Sequence, residues 1–306
     1  MNFARPLTLG CLAFSVLLSG CNILPTTRKL PVPKAPSNVQ TVTPEELVDG
    51  VNKRWAELNT LTATVEIYAT LLKTQEGLAK DYPSCRGYIV MRKPDELRVV
   101  GQYFGVRVFD MASDGRTFTL LVPPKNKAIM GSNSVVRRSP NQLENLRPGF
   151  FFDAMIVRGL DEDNYYSVTA DAETIEDAAK KHLYYMPEYV LSITRHGPSS
   201  RRDTPIRVVT FHRDDLLPYN QDLYDSHGNL ESQVTYSSYR QFDGSVYPTR
   251  VVIKRPLEGI QILLTVEKVE KNVPLKEDQF QVKIPEGTQI QNLDQPQPTR
   301  ASQVSN

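Results

Sequence analysis

The chain has 306 residues, with 36 lysines and arginines against 35 aspartates and glutamates, four histidines and a formal net charge of +1. Charge this evenly balanced, with no strong block of either sign, gives no electrostatic reason to propose nucleic acid as a partner. The length is enough for one large β domain or two small ones.

The N-terminus carries one cation, Arg5, then a mostly apolar run from Leu7 to Leu18 and the small pair Ser19 and Gly20. That is the layout of a secretory signal, too short to cross a bilayer, which takes about 20 apolar residues. Leu18, Ser19, Gly20 and Cys21 resemble the lipobox of bacterial lipoproteins. The resemblance implies that the Cys21 thiol takes a diacylglyceryl group, that residues 1–20 are cut away, and that the new amine is acylated. Two or three acyl chains anchor a protein stably where one does not. In the enterobacterial sorting pattern an aspartate after the cysteine marks inner-membrane retention. Asn22 stands there instead, which implies a lipid-anchored, periplasm-facing protein of the outer membrane. Residues 21–42 contain Pro25, Pro31, Pro33 and Pro36 and little apolar material, as expected of an extended, polyproline-like tether. With Cys11 leaving in the signal and Cys21 acylated, Cys85 is alone and no disulfide forms within the chain.

The folded domain is expected over residues 43–290. Thr43, Pro44, Glu45 and Glu46 make a helix start, with threonine as N-cap, proline at N1 and a glutamate able to reach back. Leu47, Val51, Trp55 and Leu58 then form one apolar stripe. From Leu61 to Leu71 apolar and polar residues alternate strictly, predicting a long strand wet on one side. Short β-rich runs follow: 86–92, 97–103, 106–111 and 117–122. They are separated by the turn chemistry of Lys93-Pro94-Asp95, Phe104-Gly105 and Ser113-Asp114-Gly115. Residues 139–160 break the meander with Pro140, Pro148 and a dense cluster of Phe150, Phe151, Phe152, Met155 and Ile156. Strands resume at 166–170, 189–195, 206–212, 221–224, 233–239, 250–254 and 260–269. Residues 291–306 read as a disordered polar tail. Regular strands at this spacing indicate a sandwich or barrel, and a wide curved sheet needs helices over its open face.

Chemistry is sparse. His182, His196, His212 and His227 are too scattered for a close-spaced metal motif, so no metal and no cofactor are expected. There is no G-x-S-x-G elbow, P-loop or G-x-G-x-x-G. His212-Arg213-Asp214-Asp215 reads as a solvated turn rather than an acid–base pair. Arg195, His196, Arg201 and Arg202 read as a solvated hairpin loop. Cys85 reads as a buried, inert thiol rather than one activated by Arg86. No catalytic residue is expected.

Gly87-Tyr88-Ile89-Val90-Met91-Arg92-Lys93-Pro94-Asp95-Glu96-Leu97-Arg98 resembles the "basic-x-Pro-Asp-x-Leu-Arg" strand pair of LolA/LolB-like lipoprotein carriers. Asp114-Gly115, the stretch from Lys127 to Gly131, Tyr247-Pro248, Val273-Pro274 and the run from Phe280 to Pro285 continue the pattern in order. The resemblance covers about residues 43–292. It implies a mainly β fold, a single twisted antiparallel sheet forming an incomplete barrel of about eleven strands, covered by helices around an apolar cavity. It also implies a cargo, the acyl chains of lipoproteins or of phospholipid. The lipobox aligns the chain with the receptor kind, in which an apolar residue on a hairpin helps deliver lipid to the membrane. Tyr103 and Phe104 occupy the corresponding loop. The stretch 171–187 has no counterpart in the family. Residues expected to face the cavity are Trp55, Val65, Ile67, Leu97, Val99, Phe151, Phe152 and Met155. The rival expectation is a non-catalytic envelope scaffold whose cavity is filled with side chains and which docks an envelope protein partner. A space of several hundred Å³ open to solvent favours the first, and a close-packed interior the second.

Overall fold

The computed structural model describes residues 36, 38–73, 77–134, 147–177, 182–197 and 203–295. The expected signal peptide, with Leu18, Ser19 and Gly20, lies outside the described residues, as do Cys21, most of the tether, Arg201, Arg202 and the tail beyond 295.

Helix α1 (Pro44–Glu57) begins where its cap dictates. The Thr43 hydroxyl accepts from the Glu46 N–H at 3.2 Å, and the Glu46 carboxylate accepts from the Thr43 N–H at 2.8 Å, closing a capping box. Its buried face, Leu47, Val48 and Val51, packs on Tyr189, Leu191, Ile193, Val209 and Phe211. The strands are β1 (Thr60–Lys73), β2 (Leu78–Asp81), β3 (Cys85–Arg92), β4 (Glu96–Tyr103), β5 (Val106–Ser113), β6 (Thr117–Val122) and β7 (Lys127–Ser132). After the short helix α2 (Gly149–Met155) come β8 (Asn164–Asp177), β9 (His182–His196), β10 (Asp203–His212) and β11 (Pro218–Tyr224). The chain closes with β12 (Leu230–Phe242), β13 (Ser245–Arg255), β14 (Ile260–Lys271) and β15 (Gln289–Asn292).

All of these strands form one open sheet in the order β15-β7-β6-β5-β4-β3-β1-β14-β13-β12-β11-β10-β9-β8, with β2 paired to the far end of β1. The expected class, mainly β in one unclosed sheet with helical covers, is the fold found. Two details differ. The β15–β7 pair is parallel, so the sheet is mixed rather than wholly antiparallel. The described residues also hold fifteen strands rather than about eleven: β2, β7 and β15 lie outside the expected runs, and β2 and β15, at four residues each, are too short to show a period. The unmatched stretch 171–187 is the outer half of the β8–β9 hairpin, in register from Asp171↔Glu188 to Asp177↔His182. The folded part also continues past residue 290. Gln291 and Asn292 pair with β7, and Leu293 is buried.

The inner face follows from alternation. On β1, Leu61, Ala63, Val65 and Ile67 point inward and are buried, while Glu66 and Tyr68 are exposed. β3 lies so close that a Cβ on Gly87 would sit 2.5 Å from the Ile67 side chain, which explains the glycine. β7 and β8 lie at opposite sides of the sheet, so the connection between them must cross its width. α2 lies on that connection, and Phe150, Phe151, Phe152, Ala154 and Met155 are buried against inward residues of β1, β3, β4, β12, β13 and β14. Every pair from β4 round to β10 is antiparallel, which sets the β4–β5 turn on one rim of the sheet and the β10–β11 turn on the other.

Candidate functional site

α2 is short, so its hold on the sheet comes from side chains rather than from helix propensity. The Phe150 and Phe151 ring centroids are 4.2 Å apart, and Phe152 meets the edge of Trp55 at 6.4 Å. The last carbonyls of a helix have no partner within it. Here the Tyr247 hydroxyl donates to the Met155 carbonyl at 2.5 Å and the Gln221 amide donates to the Asp153 carbonyl at 2.6 Å. Just past the helix, the Arg158 guanidinium pairs with Asp153 (2.5 Å) and Asp95 (2.7 Å) and lies 4.4 Å from the Phe152 ring. Arg207, buried beside it, donates to the Arg158 carbonyl at 2.9 Å. Burial pulls the Arg207 guanidinium below its ordinary value, partly offset by Asp153.

Two hollows flank this latch. The smaller, about 280 Å³, is lined by Leu58, Leu61, Met155, Ile156, Val157, Tyr236, Tyr239 and Tyr247, with Leu217, Pro218 and Val246 nearer the mouth and Arg54, Glu57 and Lys271 at its rim. Burial of the three phenols holds each well above the ordinary tyrosine value, so they line the hollow in the neutral form. The larger, about 660 Å³, runs along the N-terminal side of α2 beside Phe150 and Phe152 and is strongly charged. Arg158 and Arg255 line it, each paired with two carboxylates, together with Arg147 and Arg207.

The expected cavity residues divide by position. Val65, Ile67, Leu97, Val99 and Phe151 sit in the close-packed core and border neither hollow. Met155 borders the small hollow and Phe152 the large one. Trp55 is half-buried, with the Lys93 ammonium 4.6 Å from its ring. The features missed from sequence are the inward tyrosines of β12 and β13 and the rim cations Arg54 and Lys271. The tyrosines leave a signal, since a buried tyrosine must place its hydroxyl on a partner.

At the opposite rim, Tyr103 and Phe104 form a T-shaped pair with centroids 4.6 Å apart, and Phe104 is 90% exposed. Its φ of 47°, with 78° at Gly105, makes a tight two-residue hairpin turn that ordinarily favours asparagine-glycine. The His212 cluster is more ordered than a solvated turn. His212 stacks on Tyr219 at 3.4 Å and lies 3.3 Å from Glu188, while Arg213 donates to the Gln40 carbonyl and Thr41 hydroxyl, so the end of the tether docks on the β10–β11 turn. Cys85 is half-buried, and burial, then Glu66, pushes its thiol up rather than down. Among the described residues no group of three or more histidine, cysteine or acidic side chains comes together as a metal site, and no helix is long and apolar enough to cross a membrane.

No family model matches the chain, and no curated protein does. Among solved structures it is similar to a LolA superfamily protein from Nitrosomonas europaea, at 17% identity and a TM-score of 0.48, over 79% of this chain and 99% of that one. It is also similar to a DUF1329 family protein from Desulfovibrio piger, at 16% identity and a TM-score of 0.48, over 77% and 95% of the two chains. A Vibrio parahaemolyticus structure described as an outer-membrane lipoprotein-sorting domain shares 14% identity, with a TM-score of 0.44 over 77% and 94%. At these values they are loose likenesses of fold, and nothing of cargo or partner follows from them.

Proposed function

We propose that this chain is a lipid-anchored, periplasm-facing protein of the bacterial outer membrane that shelters acyl chains of lipoproteins or lipids against the inner face of its sheet, making and breaking no bond. The observation that carries the reading is the aromatic and aliphatic hollow of about 280 Å³ at the C-terminal end of α2. It falls just below the roughly 300–1,000 Å³ usual for ligand pockets, so it takes part of a chain while α2 is seated. The rest of the space is filled by Phe150, Phe151, Phe152 and Met155, an apolar plug much like the cargo itself. Exchanging the plug for an acyl chain at about 0.8 kcal/mol per buried CH₂ trades like for like, and the hydrogen bonds from Gln221 and Tyr247 hold the plug until a chain arrives. Cys21 anchors the protein, and Tyr103 with Phe104 is the loop that touches the bilayer.

The second reading, an envelope scaffold docking a protein partner, is favoured by one observation: Val65, Ile67, Leu97, Val99 and Phe151 are already close-packed. The deciding experiment purifies the full chain carrying Cys21→Ala from the periplasm and extracts it for lipid mass spectrometry. Stoichiometric phospholipid or acylated peptide, lost in Phe152→Asp, supports shelter of acyl chains. An empty protein that also fails to bind an added acyl probe leaves the scaffold.

A further inference from the structure

The small hollow has a mouth as distinctive as its walls. Arg54, in the last turn of α1, and Lys271, at the end of β14, both stand at its edge, brought together because β1 follows α1 and pairs with β14. Neither makes an ion pair or hydrogen bond among the described residues. The Lys271 ammonium lies 6.0 Å from the Tyr247 ring. The nearby carboxylate, Glu57, is held by Lys53 at 3.9 Å. Three other cations that are mostly buried are matched with carboxylates, Arg98 with Asp110, Arg158 with Asp95 and Asp153, and Arg255 with Glu231 and Glu258, while Arg207 is held by the Arg158 carbonyl. Two unmatched cations side by side repel. Burial, then the charge of Arg54, pulls the Lys271 ammonium down against a smaller opposing pull from Glu57, while burial also pulls Arg54 down.

Apolar, aromatic walls closed by two cations, with Glu57 the one carboxylate lining the hollow beside them, leave a rim of net positive charge that complements one kind of molecule. We propose that this hollow binds an anionic amphiphile, its alkyl chain lying against Leu61, Met155, Tyr236 and Tyr247 and its acidic headgroup, carboxylate or phosphate, meeting Arg54 and Lys271. The proposal rests on the acyl-sheltering reading and adds to it the charge of the cargo. A guanidinium and an ammonium serve a carboxylate and a phosphate monoester alike, so the two sources share one chemistry here.

The test titrates the full chain carrying Cys21→Ala with dodecanoate, dodecyl phosphate, dodecanol and dodecyltrimethylammonium, below their micelle concentrations, by calorimetry. Both anions bind about tenfold more tightly than dodecanol at low salt, and the cation binds most weakly. The advantage shrinks as salt is added. In the doubly substituted Arg54→Gln/Lys271→Gln chain the anions fall to the level of dodecanol, which itself is unchanged, and Arg54→Lys/Lys271→Arg restores the preference. Both side chains reach solvent at the rim while their inner parts are desolvated against the hollow, and neither belongs to the close-packed core, so the double substitution leaves the fold intact. A preference for dodecyl phosphate points to a phospholipid-type cargo and one for dodecanoate to a fatty acid, and either supports the proposal. Dodecanol binding as tightly as the anions, or an anion preference surviving the double substitution, overturns the charge assignment while leaving acyl shelter intact. Inorganic phosphate binding as tightly as dodecyl phosphate also overturns it, and failure of every amphiphile sinks both readings.

Discussion

A single residue on each rim shows where local chemistry has been bent toward a purpose. Phe104 holds a left-handed backbone conformation that costs a bulky L-residue about 1 kcal/mol, and it places an aromatic ring 90% in solvent, gaining nothing from burial. Phe104→Asn is therefore expected to raise the free energy of unfolding by about 1 kcal/mol in urea, while weakening the binding of the Cys21→Ala chain to phospholipid vesicles. Unchanged vesicle binding would remove the loop from the membrane. On the other rim, burial disfavours the protonated form of His212, more than Asp214, Asp215 and Glu173 favour it. As pH drops below the ordinary histidine value of about 6.5, the unfolded chain takes up a proton that the folded chain resists, so this group makes stability fall with acid. Burial, then Glu173 and Asp171, pushes the Glu188 carboxyl beside it upward, with the opposite slope at lower pH. His212→Gln should flatten the dependence of the urea midpoint between about pH 7.5 and pH 6, and an unaltered slope would assign it to another histidine. Both sites were visible in the sequence as short motifs. What the sequence could not display was the stacking of His212 on Tyr219, because that contact depends on how β10 turns into β11.

At the scale of elements, the latch on α2 is the feature most open to measurement. Tyr247→Phe removes the one hydroxyl that satisfies the buried Met155 carbonyl, at a cost of about 1–3 kcal/mol. If that bond holds the plug, amide exchange in residues 149–157 accelerates while β1 and β14 stay protected. Acceleration spread evenly over the sheet would mean that α2 is simply part of the core. Elements announced themselves in the sequence in proportion to the asymmetry of their environment. α1 did so through its capping box and one apolar stripe, and β1 through strict alternation between a packed and a wet face. The outer half of the β8–β9 hairpin did not, since Asp171 and Glu173 sit on a strand with little to bury. β15, at four residues, was too short for any period. The difference between a core residue and one bordering a hollow was not legible at all. Val65 and Met155 are both buried and apolar, and only the seat of α2 decides which of them borders empty space.

The whole molecule is one broad sheet whose unclosed sides are β8 and β15. β15 is the parallel strand that covers β7, so deleting residues 289–306 is expected to bare a row of unpaired backbone groups. Such a chain should self-associate in size-exclusion chromatography as its concentration rises. A monomer at all concentrations would show that β7 needs no cover. The order of strand motifs made this architecture readable, whereas the gathering of Arg54 and Lys271 at one mouth depends on pairing between distant segments. The docking of Gln40 and Thr41 on the β10–β11 turn has a geometric consequence. It fixes the attachment point on the turn whose Leu217 and Pro218 line the small hollow, while Phe104 stands on the far rim. With Cys21 acylated, the 19 residues from there to Gln40 can reach at most about 65 Å. The 14 residues of β1, at about 3.3 Å each, run only about 45 Å from rim to rim. On the acyl-sheltering reading, a leash longer than the body it holds would let the domain present either end to the same bilayer, receiving at one pole and releasing at the other without letting go of the membrane.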